Sequence, residues 1–128
     1  MGTHHVTFGL RHRITGDTLI LLPRGELDAW ADQELFPRMT ELLAPHRDPA
    51  LTGVVVDLGA VTFLDAGGLR LLVRLRNRTC PSGLELRLAR TPAKVRRVLR
   101  LSRLERTFIF LDEPGSPCDK ASGRGVPA

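Results

Sequence analysis

Val54-Val55-Val56-Asp57-Leu58-Gly59-Ala60-Val61-Thr62-Phe63-Leu64-Asp65-Ala66-Gly67-Gly68-Leu69 decides how this chain folds. Its first three residues are β-branched and apolar, and a short run of that kind reads as a strand buried on both faces. Asp57-Leu58-Gly59-Ala60 breaks the run with turn chemistry. Val61 to Leu64 is a second apolar patch, and it ends at Asp65. Beyond it Leu69, Leu72 and Val73 share one helix face, widened by Leu71 and Leu75, with Arg70, Arg74 and Asn77 opposite. Asp65 stands where an N-cap belongs. Its carboxylate can accept the free N–H groups of the first turn, and its charge suits the positive end of the helix dipole. Gly67 and Gly68 each cost about 0.5–1 kcal/mol of helix relative to Ala. Their expected use is a bare helix start that another backbone can approach closely.

Working outward toward the N-terminus, Val6–Leu10 and Thr18–Leu22 read as two strands joined at Gly16-Asp17, an antiparallel hairpin whose second strand Pro23 ends. Gly25-Glu26-Leu27-Asp28 leads into a helix with one apolar stripe, Leu35, Phe36, Met39, Leu42 and Leu43. Pro37 interrupts that stripe, so the helix either starts late, near Glu34, or is kinked. Pro45–Pro49 is a connecting loop. Toward the C-terminus, Pro81-Ser82-Gly83 closes the central helix and Leu84–Leu88 alternates as a strand with one wet face. Thr91 is placed to cap a third helix with Pro92 at its first position. Val95, Val98, Leu99 and Ser102 form its inner stripe, and Phe108–Leu111 is a last strand. Residues 1–112 form one domain, and 113–128, without period and rich in Gly, Pro and Ser, form a flexible tail. The order β-β-α-β-α-β-α-β is an α/β fold, a mixed sheet with helices packed over it.

A chain of 128 residues is long enough for one core. No apolar run approaches the ~18–20 residues of a membrane span. Met1–His5 lacks the pattern of a signal peptide, and the expected location is the cytoplasm. Two cysteines, Cys80 and Cys118, make neither a disulfide framework nor a metal-ligand spacing, so unpaired thiols are expected. The net charge of +5 is uneven. Twelve basic residues against Glu85 and Glu105 give +10 between Arg70 and Arg106, leaving −5 for the rest. That stretch lacks interleaved aromatic residues, which argues against nucleic acid and for solvated helix faces.

Catalytic chemistry finds few carriers. His4, His5, His12 and His46 fall in termini and loops without metal-ligand spacing, and no Gly-rich phosphate loop occurs. Asp57 and Asp65 end apolar segments, and a turn residue and a helix cap account for both more simply than acid–base catalysis does. No catalytic residue, metal or cofactor is expected. Function should lie in binding.

The strand, the Asp57-Leu58 turn and Val61-Thr62-Phe63-Leu64-Asp65-Ala66-Gly67-Gly68-Leu69 together resemble the STAS domain of bacterial anti-sigma factor antagonists. Gly25-Glu26-Leu27-Asp28 and Thr91-Pro92-Ala93-Lys94-Val95 match two further segments of that family, in order and spacing over about residues 6 to 112. The resemblance implies helices gathered mainly on one side of the sheet. It also implies a partner, an anti-sigma factor of the ATPase-fold Ser kinase type, which phosphorylates a Ser at the position of Ala66. No phosphorylation is expected at Ala66 itself, and Thr62 is the nearest hydroxyl. The expected contact residues are Asp28, Thr62, Asp65, Ala66, Gly67, Gly68, Arg70 and Arg74. Two other classes stand beside this one: a STAS scaffold or regulatory subunit of a larger stress-signalling or transport assembly, and a nucleic-acid binder using the 70–106 face. The oligomeric state is open.

Overall fold

A computed structural model describes residues 7–44 and 50–111. The loop expected at Pro45–Pro49, the tail expected at 113–128, and His4, His5, His46 and Cys118 lie outside the described residues. The element order is β1 (Phe8–Thr15), β2 (Thr18–Leu27), α1 (Ala29–Leu42), β3 (Gly53–Asp57), β4 (Ala60–Leu64), α2 (Ala66–Thr79), β5 (Glu85–Ala89), α3 (Ala93–Leu101) and β6 (Ile109–Phe110). One mixed sheet runs β1-β2-β3-β5-β6, antiparallel at β1–β2 and parallel elsewhere, with β4 also pairing β2. The second apolar patch of the central stretch is thus a strand of its own. β3 and β4 follow one another along the same edge of β2, at residues 18–21 and 24–27 respectively.

That arrangement explains why β2 runs through Pro23 instead of stopping there. Glu26 N donates to Thr7 O at 2.8 Å. The two-residue alternation of an antiparallel ladder then makes Leu10–Pro23 a pair that exchanges no hydrogen bond. On its other side Pro23 falls in the gap between Leu21↔Val56 and Arg24↔Ala60. No partner needs the N–H that proline lacks.

The register places Leu19 and Leu21, Val54 and Val56, and Leu86 and Leu88 on one face, and all six are buried. Leu35 and Met39 of α1, Leu71, Leu72 and Leu75 of α2, and Val95 and Leu99 of α3 complete the same core. All three helices therefore pack on that face. α1 begins at Ala29 and continues through Pro37, which rules out the late start near Glu34. The third helix differs from expectation at its start. Pro92, extended at φ −62° and ψ 150°, is itself the N-cap residue, so Thr91 lies one position too early to bond the first turn. Cys80, directly after α2, is disulfide-bonded, and among the described residues no cysteine is free, which corrects the expected unpaired thiol there. A count of two cysteines carries no geometry, so sequence had no means of deciding their pairing. No described helix is long and apolar enough to cross a membrane.

Candidate partner-binding face

Two strand-to-helix junctions stand side by side. β2 ends in Leu27 and β4 in Leu64, paired in parallel register, and each is followed by an aspartate that starts a helix. Asp28 Oδ1 accepts from Ala31 N at 2.9 Å. Asp65 Oδ1 accepts from Gly67 N at 2.8 Å and Gly68 N at 3.4 Å. Both aspartates are extended, at φ −120° and −119°, as N-cap residues are. Asp65 N donates to Leu27 O at 3.3 Å and locks the two junctions together.

The glycines serve this lock. A Cβ on Gly67 would lie 2.2 Å from Ala29 N and 2.5 Å from Ala29 Cα; one on Gly68 would lie 2.4 Å from Leu27 O. The backbone that approaches the start of α2 is therefore the chain's own segment 27–29. Gly68 is buried and Gly67 half-buried, which corrects the expectation of a bare helix start held open by both. What reaches solvent around them is Thr62, Phe63, Ala66, Ala29 and Trp30. Phe63 is 48% exposed and Trp30 43%, the latter edge-on to the Phe8 ring at 5.2 Å between centroids. Lys94 Nζ donates to Thr62 O at 2.8 Å, tying α3 to β4.

Beside Ala66 a groove of about 510 Å³ separates the first turns of α1 and α2, lined by Ala29, Asp32, Gln33, Ala66, Arg70 and Arg74 among others. Asp32 is 5% exposed. Arg74 Nη1 lies 2.9 Å from its Oδ1 and Arg70 Nε 3.6 Å from its Oδ2. Arg74 also stacks on Phe36, its guanidinium carbon 3.9 Å from the ring centroid. Arg70 and Arg74 of α2 thus pack toward α1, and of the two Arg70, its side chain 72% exposed against 39% for Arg74, keeps its charge better in water. Breaking a buried pair leaves uncompensated charge, discounted here because Arg74 is partly wet. Asp32→Asn is expected to cost about 2 kcal/mol, measured by urea unfolding.

The STAS domain model matches residues 10–115. The chain belongs to the STAS domain family. Solved structures agree on the fold. An anti-sigma factor antagonist assigned as putative, from Thermotoga maritima, superposes with a TM-score of 0.69 at 24% identity, covering 81% of this chain and 86% of that one. An anti-sigma factor antagonist from Mycobacterium paratuberculosis gives 0.65 at 21%, with the same coverage. The Bacillus cell fate determinant SpoIIAA in its phosphorylated form gives 0.56 at 22%, covering 91% and 97%.

On this STAS domain the residues singled out from sequence converge on one face. Asp28, Asp65, Ala66, Gly67, Gly68, Arg70 and Arg74 surround the paired junctions, with Thr62 three residues before the Asp65 cap. Phe63, Trp30 and Asp32 were missed. Phe63 sits in an apolar patch that looks buried, and Asp32 shows its partners only across two helices. The second carboxylate, Asp57, is occupied: it accepts from Gly59 N at 2.9 Å and from Arg90 Nε at 3.0 Å. His12 is exposed on β1, and no group that could hold a metal occurs among the described residues.

Proposed function

We propose that this STAS domain is an anti-sigma factor antagonist-like binding protein that sequesters a kinase-type anti-sigma factor through the face around Ala66. The observation that carries the reading is the exposed, hydroxyl-free Ala66 opening α2 directly after the Asp65 cap. A phosphate there would add about −1.5 to −2 charges and three acceptor oxygens to the middle of the contact surface. Without an acceptor at residue 66 that brake is absent, and binding is constitutive. The exposed aromatics supply anchors, since aromatic side chains dominate interface energetics. Six of the eleven arginines between Arg70 and Arg106 pair with Asp32, Asp57, Glu85 or Glu105, which lowers the free positive charge on that face and supports a protein partner over nucleic acid.

The test is titration calorimetry with a kinase-type anti-sigma factor from the same organism. Phe63→Ala is expected to weaken the complex about 30-fold, the size of a hot-spot truncation, with circular dichroism and melting unchanged because Phe63 is half in water. Wild-type protein that binds no such factor, or a Phe63→Ala variant that binds as wild type, would put the function or its interface elsewhere.

A further inference from the structure

β2 and β3 carry apolar side chains on both of their faces. Leu19-Ile20-Leu21-Leu22 and Val54-Val55-Val56 run without alternation, the pattern of strands covered on both sides. The helices cover only one. Leu19, Leu21, Val54 and Val56 lie beneath them, at most 1% exposed. Ile20, Leu22 and Val55 fall on the other side of the sheet and are half-buried. β5 alternates, as a strand with one wet face does: Glu85 and Arg87 share that other side and bond each other at 2.7 Å. The uncovered apolar strip is thus confined to β2 and β3.

Arg11, Arg13 and Arg24 border the strip. Cross-strand partners share a face, so Arg13 stands beside Ile20, Arg11 beside Leu22, and Arg24 opposite Gly9. A Cβ on Gly9 would lie 2.7 Å from Arg24 Cζ, so the Arg24 guanidinium folds across onto β1. All three arginines are exposed, and none of their guanidinium groups has an ion pair or hydrogen bond among the described residues. Two carboxylates of this side are taken, Asp57 by Arg90 and Glu85 by Arg87, and Glu26 stands two residues past Arg24. Positive charge is therefore in surplus around the strip.

We propose that this side of the sheet docks an acidic amphipathic helix of a partner protein. Its apolar stripe lies on Ile20, Leu22 and Val55, and its carboxylates meet Arg11, Arg13 and Arg24. Such a helix adds to this side the kind of layer the sheet already has on the other. Charge selects the occupant. A second copy docked through the same face sets arginines against arginines, and like charges brought together oppose association. Segments 1–6, 45–49 and 112–128 of this chain hold no apolar stripe at helical spacing. The side chains beside the arginines are aliphatic, whereas single-stranded nucleic acid is held by aromatic stacking. The proposal is independent of the anti-sigma partner.

The probe is a helical peptide of about 18 residues, with a leucine stripe flanked by glutamates, titrated into the full chain and followed by amide chemical shifts. Saturable shifts at residues 11–13, 20–24 and 54–56 are expected, and raising salt from about 50 to about 500 mM should weaken binding about tenfold. The same peptide with lysine for glutamate, a scrambled peptide, phosphatidylglycerol vesicles and a single-stranded oligonucleotide are the comparisons, each expected to bind at least about tenfold more weakly. The double variant Arg11→Glu with Arg13→Glu should melt like wild type, since both side chains are exposed, and lose about tenfold in affinity. Arg11→Lys with Arg13→Lys, which keeps the charge, should retain it. Val55→Thr keeps the shape and removes apolar surface, and should weaken the peptide about fivefold. No saturable shift, a comparison probe that binds as tightly, or a charge-reversed variant that binds like wild type would overturn the proposal. So would a dimer of the free protein that the peptide fails to dissociate.

Discussion

Gly68→Ala will lower the stability of this domain by about 3 kcal/mol, and Gly67→Ala by a similar amount. A methyl at residue 68 lands 2.4 Å from Leu27 O and one at residue 67 lands 2.2 Å from Ala29 N; both obstacles are backbone. Side chains can swing away from an intruding carbon, but the ends of β2 and the start of α1 cannot. They are held by the Asp28 cap and by Asp65 N donating to Leu27 O. Relieving either clash means sliding α2 off β2 and opening the contact between the two helices. For a domain of this size the drop corresponds to about 10 °C in melting temperature. Gly68→Arg, which sequence alone would offer as a clean interface mutant, is therefore expected to unfold the protein. Urea denaturation of the two alanine variants decides the matter. A loss below about 1 kcal/mol in both would mean that the close approach of α2 to segment 27–29 is not what the glycines serve.

Ala66→Ser, incubated with a kinase-type anti-sigma factor and ATP, is expected to take up phosphate and then to lose its partner. Wild-type protein under the same conditions should take up none at residue 66 and keep the complex. Residue 66 is exposed at the first position of α2, so a serine fits there without repacking. The resemblance to anti-sigma factor antagonists implies a second small hydroxyl residue where Gly67 stands in this chain, so slow phosphorylation is expected. The loss of affinity follows from placing a dianion in the middle of a contact face, and about 100-fold is the expected scale for an unpaired charge buried on binding. Intact-mass spectrometry and calorimetry on the same samples give both readouts. Stoichiometric phosphate on wild-type Thr62 with falling affinity would overturn the idea, because the switch would then have moved and not vanished. Thr62 is exposed, so the kinase has access to test.

The parts of the fold that were legible in sequence are those set by local chemistry. Asp65 was expected to cap α2 because a carboxylate two or three residues before free N–H groups has little else to do, and it bonds Gly67 N and Gly68 N. The mixed sheet followed from a hairpin and then strand–helix alternation, and the antiparallel β1–β2 pair with parallel neighbours bears it out. Pro37 left two possibilities from sequence, and the cap at Asp28 decided against the late start.

Other features depend on segments far apart in the chain. Gly67 and Gly68 cost helix locally, and their use appears only when residues 27–29 arrive beside them across the sheet. Arg70 and Arg74 look like a free basic face until Asp32, about forty residues earlier, packs between them. Phe63 lies in a run that looks buried, and its exposure follows from the register shift in the β2–β4 pairing, which passes over Thr62 between Gly25↔Val61 and Glu26↔Phe63.

The sequence by itself determined the order of strands and helices, the aspartates that start α1 and α2, and the absence of a hydroxyl at residue 66. Each is written in residues at most a few positions apart, within reach of one helical turn or one pleat. The tertiary structure alone decided which charges are spent on the protein's own carboxylates, which aromatics face water, and why two glycines open α2. Those outcomes are set by the parallel pairing of β2 with β4 and the packing of α1 on α2. Contacts between segments some forty residues apart are fixed by shape and burial in three dimensions, and no local periodicity encodes them.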